Sequence, residues 1–236
     1  MKEIDEVTLN RVWGKIDDFK IFISHKTEDK KKVSTMKKEL ERYGIACFVA
    51  HLDINPTEEW QKEIEAALFS MNFFIAIMTE KFHESSWTDQ EIGIAIGREC
   101  PIVSLRLGCD PYGFIGKYQA LTCEWENAPI KLLEIFFKST KAVDAYIEAI
   151  KKSESYDNSN LLANALPLIQ NLSENQCDNI ISAYNENSQV NCSHGFIGDL
   201  PFHYGDGVLA ILNKYSSRKF KISRRNKIKI VKENNE

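Results

Sequence analysis

The first two thirds of the chain alternate between short apolar runs and longer segments that carry apolar residues at helical spacing. The apolar runs are rich in β-branched and aromatic residues and predict five buried strands, at residues 19–25, 45–51, 72–79, 101–107 and 120–125. Strands that alternate with helices form parallel β-α-β units with right-handed crossovers. The pattern therefore predicts an α/β fold with one doubly wound, five-stranded parallel sheet of the flavodoxin-like type, in the order 2-1-3-4-5.

Helix start and stop signals support this pattern. Val33, Met36 and Leu40 share one face of the first helix, which Gly44 is expected to end. The second helix begins at Asn55-Pro56-Thr57-Glu58, which supplies an N-cap residue, a proline at the first helical position and a capping-box glutamate. A further helix is predicted at about 88–99, and a long helical region at 130–152.

Open sheets of this type bind ligands at the carboxyl ends of their strands, where the strand order reverses. In the predicted order, that point lies between the first and third strands. The segment Ser24-His25-Lys26 leaves the first strand there, and Thr79 and Glu80 leave the third. The topology therefore predicts a candidate site among these residues.

The composition changes after residue 153, where Asn and Ser become frequent and the alternating strands end. Three helical patterns follow, around 161–169, 173–184 and 208–215, and Ser173 with Gln176 forms a capping-box sequence. The predicted domains are an N-terminal lead-in at 1–17, an α/β domain at 18–152, and a small helical domain at 153–236 that ends in a basic tail.

Composition narrows the class of protein. The chain has 236 residues, of which 43% are hydrophobic and 27% charged, as in globular proteins. No apolar run approaches the roughly 18 residues of a membrane span, and the acidic N-terminus has no hydrophobic signal region. We therefore expect a cytoplasmic protein without a membrane partner, and its six cysteines, none in a C-x-x-C pair, to be reduced.

Charge is distributed unevenly along the chain. Residues 218–236 contain eight Lys or Arg and two Glu, a balance of +6, so the other residues must sum to −10 to give the formal net charge of −4. A basic tail can contact nucleic acid or anionic lipid, but it is more often a solvated chain end, here with a short strand at 228–231. Nucleic acid is therefore not an expected partner.

Several catalytic and cofactor motifs are absent. No G-x-G-x-x-G or P-loop follows the first strand, and neither G-x-S-x-G nor H-E-x-x-H occurs, so we expect no metal and no bound cofactor. A response-regulator receiver shares the sheet order but needs an acidic pair after the first strand and an Asp after the third. This chain has Ser24-His25-Lys26 and Thr79-Glu80-Lys81 at those places, which disfavours that class.

Trp87 and Glu91 form a pair at the start of the helix after the third strand. Residues i and i+4 share a helix face, and Ile92 and Ala95 mark the neighbouring buried stripe, which places Glu91 at its border. Spacing alone leaves two interpretations open. One is a surface glutamate beside a core tryptophan; the other is a partly desolvated carboxylate at the mouth of the predicted crevice, able to stabilise a developing cation.

Three separated segments, in this order, resemble a bacterial Toll/interleukin-1 receptor (TIR) domain. They are FKIFISH at 19–25, FVAHLDINPTEEWQKEIEAAL at 48–68, and the stretch 82–91 that contains the Trp87/Glu91 pair. The resemblance covers about residues 18–152 and implies the flavodoxin-like fold already predicted. Many bacterial and plant members of the family cleave NAD⁺ at the nicotinamide–ribose bond.

The resemblance also implies roles for particular residues. In NAD⁺-cleaving members, the catalytic glutamate lies on the helix after the third strand, four residues beyond a tryptophan, and Glu91 and Trp87 match these positions. NAD⁺ is then a substrate and not a cofactor. The residues expected to contact it are Trp87, Ser24, His25 and Lys26, together with Asp53 and Trp60 from the loop that covers the pocket in the family.

The implied function is that of an NAD⁺ nucleosidase or ADP-ribosyl cyclase in bacterial antiphage immunity, which depletes NAD⁺ or makes an ADP-ribose-derived signal. Family members act through self-association, and the C-terminal helical domain is expected to respond to a protein or ligand trigger. The alternative is a non-catalytic TIR adaptor or scaffold that works through homotypic assembly alone.

Overall fold

The fold is taken from a computed structural model, in which the structure describes residues 4–14, 19–49, 60–85, 87–198 and 205–231. Contacts between residues divide the chain into two compact units. The first comprises residues 1–41 and 45–131, and the second comprises 42–44 and 132–236. The domain boundary expected after residue 152 stays a prediction.

A five-stranded parallel sheet forms the centre of the first unit, in the predicted order β2-β1-β3-β4-β5. The fold class and the strand order are therefore confirmed. Each strand is shorter than its apolar run, and five of the six residues of β3 are buried, as expected for a strand covered on both faces. The strands are β1 Lys20–Ser24, β2 Ala46–Phe48, β3 Phe73–Met78, β4 Ile102–Arg106 and β5 Leu121–Thr122.

Three helices lie wholly in the first unit, and a fourth, α2, lies in it except for its last residue. They are α1 Glu6–Trp13, α2 Lys30–Arg42, α3 Trp60–Ser70 and α4 Thr88–Gly97. The hydrophobic pattern did not predict α1. This helix lies in the expected lead-in and has only eight residues, which is too short for a clear periodic pattern. Asp5 caps its first turn by accepting from the Thr8 amide, and the Trp13 indole N–H donates to Ser70 of α3 at 2.8 Å. The predicted start of α3 at Asn55 lies outside the described residues.

The long helical region predicted at 130–152 is helical but is not one continuous helix. The structure has two helices, α5 Ala128–Phe136 and α6 Thr140–Lys151, separated by a turn. Ser139 adopts an extended backbone at the N-cap position of α6, and its N–H donates to the Phe136 carbonyl at 2.8 Å. Serine is favoured at N-caps, so Ser139-Thr140 is a helix-start signal that the apolar periodicity concealed.

The second unit contains the predicted helices and an additional hairpin. Ser173 and Gln176 form the predicted capping box at the start of α8, and the Gln176 side chain also donates to Asp144 of α6 at 2.8 Å. Two short strands pair antiparallel in the basic tail, where a single strand at 228–231 was predicted. The other elements are α7 Tyr156–Ala163, α8 Glu174–Glu186, α9 Ser188–Asn191, α10 His194–Ile197, α11 Gly207–Tyr215, β6 Phe220–Ile222 and β7 Ile228–Ile230.

Among the described residues, no helix combines the length and the apolar composition that crossing a membrane requires.

The capping box of α8 provides a test of the second unit. Replacing Ser173 by Ala removes the hydroxyl that accepts from the Gln176 amide, so we expect the free energy of unfolding to fall by about 1 kcal/mol. Urea denaturation followed by circular dichroism measures this change. Ser182→Ala, which removes only an exposed bond to Glu186 in the same helix, should cost clearly less; equal losses would contradict the capping role.

Candidate active site

Helix α4 positions Glu91 at the carboxyl edge of the sheet. A short 3-10 turn, Phe82–Glu84, follows β3, and the Thr88 hydroxyl donates to the Phe82 carbonyl at 3.0 Å and the Ser85 carbonyl at 3.1 Å. These bonds fix the first turn of the helix. The Glu91 amide then donates to the Trp87 carbonyl at 2.9 Å, so the two residues lie one helical turn apart, as their spacing predicted.

The carboxylate of Glu91 meets the end of β1. The Ser24 hydroxyl donates to Glu91 Oε2 at 2.5 Å, and the two residues are only 1% and 5% exposed respectively. Within the described part of the chain, Ser24 is the only side chain hydrogen-bonded to this carboxylate, and no cation is ion-paired with it. The topology therefore brings together a residue of the first strand and one of the helix after the third strand.

Burial dominates the electrostatics of this carboxylate. Desolvation raises the pKa of Glu91 from 4.5 to about 7, although the hydrogen bond from Ser24 opposes the shift. A strongly shifted titratable group in a cleft is a physical indication of a functional site. The interpretation of Glu91 as a solvent-exposed surface residue is therefore wrong.

Two tryptophans lie next to each other at the starts of α3 and α4. The Trp60 ring, at the first residue of α3, meets the Trp87 ring edge-to-face, with centroids 5.0 Å apart and an interplanar angle of 72°. Both side chains are half-buried, so each keeps part of its ring surface accessible. The structure thus brings Ser24 of β1 to Glu91 of α4, and Trp60 of α3 to Trp87 at the N-cap of α4.

The comparisons with known proteins report a family match over part of the chain. Residues 21–133, a little under half of the chain, match the family model described as the TIR domain. This segment is therefore similar to TIR domains. The family includes NAD⁺ hydrolases as well as non-enzymatic adaptors, and TIR domains generally self-associate.

A similar solved structure is the crystal structure of the TIR domain of the Toll-related Receptor TRR-2 from the lower metazoan Hydra magnipapillata. It shares 24% sequence identity with this chain, covers 51% of this chain and 97% of its own, and superposes with a TM-score of 0.43. No curated protein sequence matches the chain.

The remaining predicted site residues of the TIR domain have different environments. His25 is buried directly after β1. The Lys26 ammonium donates to Glu84 at 2.6 Å, and this bond raises the pKa of Lys26 and lowers the pKa of Glu84. Lys26 is therefore already bound to a carboxylate of the turn after β3. Asp53 lies outside the described residues.

The sequence interpretation missed several residues that support the site. Glu84 binds the Lys26 ammonium, and Thr88 fixes the first turn of α4. Both residues lie inside the segment that carried the TIR resemblance. Tyr112, from the loop after β4, donates to Asp89 at 2.6 Å, and burial raises the pKa of its hydroxyl. Helix spacing identifies Asp89 as exposed, but it gives no indication of a partner 23 residues away.

No three His, Cys, Asp or Glu side chains of the described residues cluster closely enough to hold a metal ion.

The raised pKa of Glu91 predicts how stability changes with pH. Because the folded-state pKa of about 7 exceeds the unfolded value of 4.5, the native state holds this proton more tightly, and that stabilisation is complete below pH 4.5 and is lost as the pH rises through 7. Glu91→Gln has no proton to lose and can still accept from Ser24. We expect the variant to gain stability over the parent by roughly 3 kcal/mol between pH 4.5 and 8.

Urea denaturation of both proteins across this pH range measures the difference. A stability difference that does not change with pH would show that Glu91 has an ordinary pKa and is not desolvated.

Proposed function

We propose that the TIR domain cleaves NAD⁺ at the nicotinamide–ribose bond and that Glu91 is its catalytic carboxylate. The observation that supports this best is the burial of Glu91 with a hydroxyl, and no cation, as its side-chain partner among the described residues. Burying a carboxylate is costly unless it is neutralised. A positively charged substrate provides the missing cation.

The reaction suits a single carboxylate. The bond between the ribose C1′ and the nicotinamide nitrogen breaks, the bonding electrons leave with nicotinamide, and the cationic ring departs as a neutral molecule. No general acid is needed, unlike in hydrolysis of O-glycosides, which uses two carboxylates. Positive charge develops on the ribose, and an ionised Glu91 stabilises it in a low-dielectric site.

The two tryptophans and the Ser24 hydroxyl supply the rest of the proposed pocket. The half-buried Trp60 and Trp87 rings offer flat surfaces for the nicotinamide ring, and a cation over an indole face is favourable. The charge of the bound ring also favours the ionised form of Glu91, so substrate binding is expected to release a proton at neutral pH.

The biological proposal follows the bacterial resemblance. The activity would serve antiphage immunity, by depleting NAD⁺ or by forming an ADP-ribose-derived signal, with the second unit receiving the trigger. Chromatography with mass spectrometry distinguishes a linear product from a cyclic one. Phage challenge of bacteria that carry the parent or Glu91→Gln tests the defensive role.

Nicotinamide release by concentrated, assembled protein tests the catalytic assignment. Glu91→Gln keeps the shape and the acceptor for Ser24 but removes the charge, so we expect turnover to fall at least about 10²-fold, or roughly 2.7 kcal/mol of transition-state stabilisation. Glu63→Gln is the matched control, because Glu63 is also a buried carboxylate, yet it pairs with Arg11 of α1 at 3.1 Å.

The control should stay within a few-fold of the parent. If Glu91→Gln released nicotinamide as fast as the parent, the assignment would be wrong. If the parent released none at any concentration, the domain would be an adaptor.

The hydroxyl of Ser24 should set the pH dependence of this reaction. Because its hydrogen bond lowers the pKa of Glu91, Ser24→Ala is expected to move the acid limb of the kcat/KM profile to higher pH. Ser104→Ala is a matched change at a buried serine of β4 whose hydroxyl has no hydrogen-bond partner among the described residues, and it should leave the limb in place. An unchanged limb in Ser24→Ala, with activity intact, would remove Ser24 from the site.

A further inference from the structure

Residues 218–231 form an antiparallel hairpin that we call the basic hairpin. It contains β6 and β7, and Lys221 lies directly opposite Lys229 in the register of the pair. The segment has seven Lys or Arg and no Asp or Glu, in a chain whose formal net charge is −4. Such a concentration of one sign of charge is the electrostatic footprint of a surface for polyanions.

The two faces of the basic hairpin differ. Phe220 and Ile228 are 5% and 4% exposed, so one face contributes to the core of the second unit. Lys221 and Lys229 are exposed on the opposite face, because side chains alternate along a strand. Arg224 and Arg225 are also exposed, in the turn between the strands.

Polar side chains of neighbouring helices hold the hairpin in place. The Asn185 amide donates to the Ile228 carbonyl at 3.2 Å and its oxygen accepts from the Ile228 N–H at 2.8 Å. Asn213 accepts from the Phe220 N–H at 2.9 Å, and Arg218 pairs with Glu174 at 2.8 Å. The basic face is therefore presented on an anchored element of the second unit.

Four basic side chains of this face have no internal counter-charge. Lys221, Arg224, Arg225 and Lys229 form no ion pair with any residue that the structure describes. Like charges directly opposite each other destabilise an antiparallel pair, so Lys221 and Lys229 weaken the hairpin they belong to. An anion between them relieves this repulsion.

The shape of the basic hairpin favours a nucleic-acid duplex over a bilayer. A two-stranded β-ribbon fits the major groove of B-DNA, and basic side chains two residues apart recur about every 7 Å. Peripheral membrane elements insert apolar or aromatic side chains, and the turn 223–227 has none. The exposed apolar residues Ile230 and Val231 lie at the other end of β7.

We propose that the basic hairpin binds double-stranded nucleic acid through its phosphates, without reading base sequence. The hairpin exposes no aromatic side chain on which unpaired bases could stack, which disfavours single strands. This reverses the expectation from the sequence, where the tail had no partner strand and resembled a solvated end. The inference is independent of the NAD⁺ chemistry proposed for the first unit.

Fluorescence anisotropy of the full chain with a labelled, mixed-sequence DNA duplex of about two helical turns tests the proposal. The test variant carries Lys221→Gln, Arg224→Gln, Arg225→Gln and Lys229→Gln. We expect it to bind at least about tenfold more weakly than the parent. The slope of log K against log salt should also fall by about 0.9 for each phosphate that the variant no longer neutralises.

A charge-matched control removes four exposed lysines in and beside α6 of the same unit. It carries Lys138→Gln, Lys141→Gln, Lys151→Gln and Lys152→Gln. Duplex binding by the parent and the control, with weaker binding only in the hairpin variant at an unchanged melting temperature, supports the proposal. The proposal is overturned if the parent binds no duplex at about 50 mM salt, or if the control loses as much duplex affinity as the hairpin variant. It is also overturned if the parent binds phosphatidylserine vesicles but no duplex.

Discussion

The hydrogen bond between Ser24 and Glu91 joins the end of β1 to α4, and the candidate site depends on it. It holds the carboxylate of Glu91, a residue that is only 5% exposed to water. Ionising such a buried group is unfavourable without a neighbouring cation, so its pKa rises toward neutrality. The neighbouring residues Ile92 and Ala95 are apolar, and an apolar residue at position 91 would pack there without this penalty. Packing alone therefore does not explain the carboxylate.

The sheet order is the part of this arrangement that the sequence could predict. The apolar run of β3 and the alternation with helices specify a doubly wound sheet, and the order 2-1-3-4-5 brings β1 beside β3. Residues leaving these two strands then share one edge, which is why Ser24 and Glu91 are neighbours although 67 positions separate them. The Trp87/Glu91 spacing is local and is equally visible in the sequence.

Side-chain partners across this edge could not be predicted in the same way. Lys26 was expected to face a ligand, yet Glu84 holds it, because the turn after β3 projects a carboxylate toward the end of β1. The sequence indicates only one strand within 218–231. The second strand of the hairpin is too short, and its mixture of apolar and basic residues too weak a pattern, to be predicted. The break between α5 and α6 was also missed, because the apolar periodicity continues across it. Ser139 takes the N-cap position without a side-chain capping bond among the described residues, so its general capping preference was weak evidence.

Under the proposed reaction, burial would affect Glu91 differently without and with a neighbouring cation. Without a cation, desolvation favours the neutral acid, which stabilises no positive charge. With a cationic ring in contact, the same low dielectric strengthens the attraction between carboxylate and substrate, because Coulomb energy grows as water is excluded. In the proposed reaction, any change that excludes further water from this edge of the sheet would therefore strengthen the attraction between the ionised carboxylate and the cationic ring.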